Sequence, residues 1–304
     1  MSTKILASLM FACVLALARL PAYAEDLGGR QTLTFAGIER SYFVRDFAAS
    51  ASLVPLVLVL HGGGGNAANA ENMTGFTAKA RQKGFIVVYP DGTGPLRDKL
   101  LTWNAGHCCA YAMKNNVDDV GFINALIDEL IRRYPVDAHR IYVTGMSNGG
   151  MMTHRLGREL SGRIAAIAPV VATVFGDEAQ ATHAVPALMI NGLLDVNVPY
   201  LGGAPGGPRA SRSWDGTPTQ PALKQLEFWA AANGCEPTPD KVENSKWILW
   251  RSVCPSTAPV ALYLVKDNGH AWPSGQPGSR RGDSPGTALN ATDVIWEFFE
   301  TRRP

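Results

Sequence analysis

The sequence predicts an α/β protein, with a mostly parallel central sheet and helices on both of its faces. Short, continuous apolar runs recur along the chain, as strands covered on both sides require. Between them, apolar residues return every three or four positions, the spacing of a helix with one buried face. Near the middle, the β-branched run Ile141-Tyr142-Val143-Thr144 passes straight into Gly145-Met146-Ser147-Asn148-Gly149, which reads as a tight strand-to-helix turn. Strand followed by helix, repeated, gives a doubly wound sheet.

Taken in order, residues 56–60 (Leu-Val-Leu-Val-Leu) form the first expected strand, and a glycine loop, His61 to Asn66, follows it. Residues 85–89 (Phe-Ile-Val-Val-Tyr) form the second. Asp118-Asp119 opens a helix over 120–131, where Asp118 is expected to cap the free backbone donors of the first turn, with a place beside the active site as its other reading. Further strands are expected at 141–144, 164–170, 187–191 and 260–265. A helix should follow Ser147, with others over 221–232 and 291–301. Two segments break this rhythm. Residues 91–116 carry Trp103, Cys108, Cys109 and Tyr111, and residues 200–221 are rich in Gly, Pro and Ser around Trp214. Long loops at the carboxyl ends of parallel strands commonly shape ligand sites.

The chain has 304 residues, 46% hydrophobic and 18% charged, a composition that suits one globular domain with a large core. Residues 1–24 read as a secretory signal peptide: Lys4, an apolar run over 5–17, and Ala22-Tyr23-Ala24 as the cleavage site. That leaves 25–304 as a single domain, expected to be secreted or periplasmic. The apolar run is too short for a membrane anchor and ends at Arg19 and Pro21. Cleavage removes Lys4 and Arg19 from the 28 basic residues, which brings them level with the 26 acidic ones. A formally neutral protein has no electrostatic case for nucleic acid or an anionic membrane as partner.

Four cysteines then remain, and an even number behind a signal peptide favours disulfides. Cys235 with Cys254 is the preferred pair, a loop of about 20 residues whose closure contributes about 3 kcal/mol. Cys108 and Cys109 are neighbours, so a bond between them would be strained. Crossed pairing with Cys235 and Cys254 stays open, as does a site with His107, although the spacing fits no zinc pattern and no metal is expected.

A serine hydroxyl is a poor nucleophile near neutral pH and needs a base in hydrogen-bond reach. His270, in the loop Asp267-Asn268-Gly269-His270-Ala271-Trp272-Pro273 after the strand at 260–265, is the candidate base for Ser147. Asp195 follows the strand at 187–191 and is the candidate to orient the imidazole. The order Ser147, Asp195, His270 is that of α/β-hydrolase triads. Acyl transfer also develops a negative oxygen that needs two fixed donors. The N–H groups of Asn148 and of Gly63, or else Gly62, are the candidates; bare glycine backbone lets a substrate come close. Trp103 and Trp272 are candidate walls for an aromatic acyl group or a sugar, with simple burial as the other reading.

Six segments together resemble secreted esterases of the polyhydroxybutyrate depolymerase and feruloyl esterase type: His61 to Asn66; Thr102-Trp103-Asn104-Ala105-Gly106 with Cys108-Cys109; Val117 to Phe122; Gly145 to Met151; Asn191 to Tyr200; and Gly269 to Pro273. The resemblance implies an α/β-hydrolase fold, ester hydrolysis through an acyl-enzyme, no cofactor, and a small-molecule or polymer ester as substrate. It extends over nearly all of 25–304. No separate polymer-binding domain is recognised, so soluble esters are expected over insoluble polymer. The family mixes feruloyl, hydroxyalkanoate and acetyl esters, so the resemblance does not choose among them.

Overall fold

Ten strands build one sheet in a computed structural model that describes residues 28–49, 52–204, 206, 213–255, 258–280 and 282–302. The expected signal peptide lies outside the described residues. In chain order the strands are β1 Gln31–Phe35, β2 Ile38–Asp46, β3 Val54–Leu60, β4 Ile86–Pro90, β5 Val136–Met146, β6 Ala166–Val170, β7 Ala187–Gly192, β8 Asp240–Glu243, β9 Trp247–Ser252 and β10 Val260–Val265. The helices are α1 Ala67–Thr74, α2 Phe76–Lys83, α3 Ala110–Lys114, α4 Asp119–Arg133, α5 Asn148–Glu159, α6 Ala222–Ala232 and α7 Ala291–Glu300.

The sheet order is β1-β2-β4-β3-β5-β6-β7-β10-β9-β8. Its middle, from β4 to β10, is parallel throughout, and antiparallel strands flank it on both edges. The apolar runs explain the middle. Leu56, Leu58 and Leu60 of β3 pack into one core with Phe122 and Leu126 of α4, Met152 and Leu156 of α5, and Trp229 of α6. The alternate residues Val57 and Val59 enter a second core with Phe76 of α2 and Ile295 and Phe299 of α7. Side chains on a strand point alternately to opposite faces, so a strand buried on both faces must be apolar at every position.

Several features depart from the sequence-based expectation, among them β5, which begins at Val136, and α3, which lies within the loop expected over 91–116. The strand expected at 164–170 begins at Ala166, because Arg163 and Ile164 close the preceding helix through amide bonds to Leu160. The edge strands β1, β2, β8 and β9 were not anticipated. Burial is partial or alternating in β1, β2 and β9 and absent in β8, and the two edge pairs join the sheet through strands distant in sequence, such as β2 against β4. Among the described residues, no helix is long and apolar enough to cross a membrane.

Candidate active site

The turn after β5 carries Ser147 in an unusual backbone conformation, φ +56° and ψ −122°. Its N–H donates to the Val170 carbonyl at 2.9 Å, and its own carbonyl accepts the first bond of α5, from Met151 at 2.8 Å. The flanking glycines follow from close packing. A Cβ on Gly149 would sit 2.5 Å from the carbonyl oxygens of both Leu60 and His61, and one on Gly145 would sit 2.6 Å from the Gly149 carbonyl oxygen. Only bare backbone lets β5, α5 and the glycine loop approach so closely.

The loops after β7 and β10 meet this turn. His270 Nε2 lies 2.8 Å from Ser147 Oγ, and His270 Nδ1 lies 2.8 Å from Asp195 Oδ2. An ionised carboxylate can only accept, so Nδ1 carries the ring proton and Nε2 offers its lone pair to the serine hydroxyl. Asp195 is buried, and its other oxygen accepts the amides of Asn197 and Val198 at 2.8 and 2.9 Å. Those bonds leave the carboxylate no rotational freedom. Leu194 N–H donates to the Asn268 carbonyl at 3.0 Å and ties the two loops together.

The glycine loop and the start of α5 supply backbone donors. Gly64 and Gly65 give their N–H groups to the carbonyls of Leu101 and Gly62. The N–H groups of Gly63 and Asn148 have no protein partner among the described residues, and both residues line the cleft beside Ser147. The Asn148 side chain is clamped from both ends by the Trp103 backbone: Oδ1 accepts its N–H at 2.8 Å and Nδ2 donates to its carbonyl at 2.9 Å. This holds the Asn148 amide in a fixed place.

The cleft has two arms that share Ser147 and His270. One, of about 520 Å³, is lined by polar groups including Asn66, Asn69, Asp98 and Asp283. The other, of about 920 Å³, is lined by Pro95, Tyr111, Val198 and Trp214.

Residues 41–213 match the esterase PHB depolymerase family. The chain belongs to that family. It is 31% identical over 232 residues to "Feruloyl esterase B" of Piromyces equi, covering 74% of this chain and 41% of that protein. It is 30% identical over 175 residues to "Poly(3-hydroxybutyrate) depolymerase" of Ralstonia pickettii, covering 50% of this chain and 34% of that one. The chain thus spans less than half the length of either relative. The solved structure titled "Acetyl xylan esterase from Aspergillus awamori" superposes with a TM-score of 0.61 at 14% identity, over 90% of this chain and 99% of that one. That likeness is one of fold, the α/β-hydrolase fold.

In this member of the esterase PHB depolymerase family, both candidate tryptophan walls need correction. Trp103 and Trp272 are fully buried and line neither arm. Trp103 lies beneath the glycine loop, its Nε1 donating to the His61 carbonyl at 3.1 Å. Trp272 packs edge-on against Phe76 and donates to Thr292 Oγ1 at 3.0 Å. Their indole N–H groups find partners inside, so nothing draws them to the surface. The aromatic side chains that do line the cleft are Tyr111 and Trp214.

The cysteines pair as Cys108 with Cys109 and Cys235 with Cys254, which closes the crossed alternative. Three residues have supporting roles that the sequence did not assign to them. His61 is buried under the loop it begins; burial pushes its pKa down to about 4, so it stays neutral. Its Nδ1 donates to the Gly62 carbonyl at 2.8 Å and its Nε2 accepts the Gly92 N–H at 2.9 Å. Asp283 accepts the His270 N–H at 2.6 Å. Asn268 donates to the carbonyls of Gly269 and Ala271 and accepts the Gly286 N–H. Each role includes a partner outside the local segment, Gly92 for His61, His270 for Asp283 and Gly286 for Asn268, and no local pattern marks it.

Proposed function

We propose that this chain is a secreted serine hydrolase of carboxylic esters, with Ser147 as nucleophile, His270 as base and Asp195 as its orienting partner. The observation that carries this reading is the unbroken relay from Asp195 through His270 to Ser147 Oγ, both links 2.8 Å, opening into a cleft. His270 takes the Ser147 proton as Oγ attacks the ester carbonyl, and the N–H groups of Gly63 and Asn148 receive the developing oxyanion. As the tetrahedral intermediate collapses, His270 gives the proton to the leaving alkoxide and an acyl-enzyme remains. Water, deprotonated by His270, then releases the acid and restores Ser147.

The substrate is a feruloyl-type aromatic ester first and a short hydroxyalkanoate ester second. Tyr111 and Trp214 in the larger arm favour a planar aromatic group, and the polar residues of the smaller arm suit a hydroxylated partner. An acetyl ester of plant polysaccharide is the third candidate. Export through residues 1–24 accords with two disulfides. Ser147→Ala should fold normally and lower p-nitrophenyl acetate turnover by about 10⁶. Substantial turnover in that variant, or failure of a fluorophosphonate to label Ser147 in the wild type, would remove Ser147 from the mechanism.

A further inference from the structure

His107 is the only imidazole among the described residues whose two ring nitrogens both face carboxylates. Nδ1 lies 2.6 Å from Asp215 Oδ2 and Nε2 lies 2.8 Å from Asp177 Oδ2. An ionised carboxylate only accepts, so each nitrogen must bring a proton, and only the imidazolium carries two. The geometry therefore calls for the charged ring. Its surroundings agree: partial burial alone would lower the His107 pKa, but the hydrogen bonds and charges of Asp215 and Asp177 outweigh burial and raise it.

The three residues come from three separate loops. His107 lies between β4 and α4, Asp177 follows β6, and Asp215 precedes α6. The loops meet in several further ways. Cys108 and Trp214 pair as an isolated antiparallel bridge, and the Asp215 N–H donates to the His107 carbonyl at 3.2 Å. The Phe175 ring stands 5.0 Å from the imidazole and 5.8 Å, edge-on, from Trp214. The Thr217 hydroxyl adds a contact to Nδ1 at 3.0 Å. Just beyond this junction, Cys109, Ala110, Tyr111 and Trp214 form a wall of the larger arm that holds Ser147 and His270. The wall thus consists of two strands of chain, and His107 with its two aspartates is the clasp between them.

We propose that protonated His107 is a positioning residue, stapling the Trp214 segment to the start of α3, which carries Tyr111, and so shaping the larger arm for esters with a bulky aromatic group. This rests on the reading of the site as a serine ester hydrolase. The charged groups that face the ring are Asp215 and Asp177; the neighbouring Glu178 is held by the amides of Phe175 and Gly176. A neutral ring has one N–H. On deprotonation a nitrogen lone pair faces one of the carboxylates, that bond is lost and the wall loosens. Because the folded His107 pKa is raised, the clasp is complete below the ordinary histidine value of about 6.5 and is lost as pH rises through the raised one.

The test compares p-nitrophenyl ferulate with p-nitrophenyl acetate, which share a leaving group and the same triad. The ratio of their kcat/KM values cancels the titration of His270 and any loss of active enzyme. In the wild type the ratio should be highest at about pH 6 and fall about two- to fivefold by about pH 9, the scale of a partly exposed ion pair. His107→Gln should give a low ratio at every pH. His107→Arg, whose guanidinium stays charged and presents several donors, should give a higher ratio that no longer varies with pH. A wild-type ratio that is flat with pH, or a wild-type profile retained in His107→Gln, overturns the proposal, and the wild-type arm needs no variant to fold. Absence of turnover on both esters would instead sink the hydrolase reading, a result distinct from a flat ratio.

Discussion

Gly149 shows how tightly single residues are constrained at the candidate nucleophile. It is pressed against two carbonyl oxygens that belong to the end of β3 and the first residue of the glycine loop. Gly149→Ala has no flexible side chain to push aside, only backbone. It should destabilise the protein by about 1–3 kcal/mol through overpacking, seen as a lower urea midpoint. It should also lower ester turnover, because the clash displaces the loop that carries Gly63. A midpoint and turnover equal to wild type would show that the close approach is not what keeps glycine there. The Gly-x-Ser-x-Gly spacing marks this position in the sequence, although the crowding comes from Leu60 and His61, far earlier in the chain. His61, two positions from Gly63, is different. Its neutral state follows from complete burial, which a lone histidine in a sequence does not announce.

Between elements, a buried ion pair joins the antiparallel edge to the parallel core. Arg40 of β2 donates from Nη2 to Asp119 Oδ1 at 2.7 Å, at the first residue of α4, and the same nitrogen lies 3.0 Å from the Asp91 carbonyl. The Arg40 guanidinium also lies over the Phe122 ring at 4.0 Å. Asp119 accepts the Asn104 N–H with its other oxygen, which anchors the loop that leads to the cysteines. Asp118 beside it takes the expected role, capping α4 through the Gly121 N–H at 2.8 Å. Arg40→Met should cost about 3–5 kcal/mol because it leaves a buried carboxylate unpaired, whereas adding Asp119→Leu should recover part of that loss. Urea denaturation of both variants decides this. If the single variant is as stable as the double, the pair does not bind these elements together. The Asp-Asp sequence predicted the cap but not the ion pair, because a cap is local and Arg40 lies 79 residues away.

At the scale of the whole molecule, the described residues open the cleft between loops and the short helix α3. The segments that frame the larger arm contribute Pro95, Tyr111 and Trp214, and neither 91–116 nor 200–221 contains an amphipathic helical stretch suited to an interfacial lid. We expect the protein to prefer small or aromatic soluble esters to long-chain triglycerides. A panel of methyl ferulate, hydroxybutyrate oligomers, acetylated xylan and triglycerides from tributyrin to triolein would measure this. Greater activity on triolein than on every short or aromatic ester would replace the esterase reading with a lipase one.

The sequence by itself determined the parallel centre of the sheet and the chain positions of Ser147, Asp195 and His270. Strands buried on both faces must be continuously apolar, and each of these three residues directly follows such a strand or its short loop. Tertiary structure alone decided the rest. β1, β2, β8 and β9 owe their existence to pairing with other strands, so their alternating or polar sequences carry a weaker local signal. Trp103 and Trp272 could have been wall or core on sequence grounds, and packing from residues far along the chain made them core. His107, Asp177 and Asp215 lie in three loops, and only the fold brings their charges together. Periodicity is written along the chain, whereas burial and charge pairing depend on which distant residues arrive beside it.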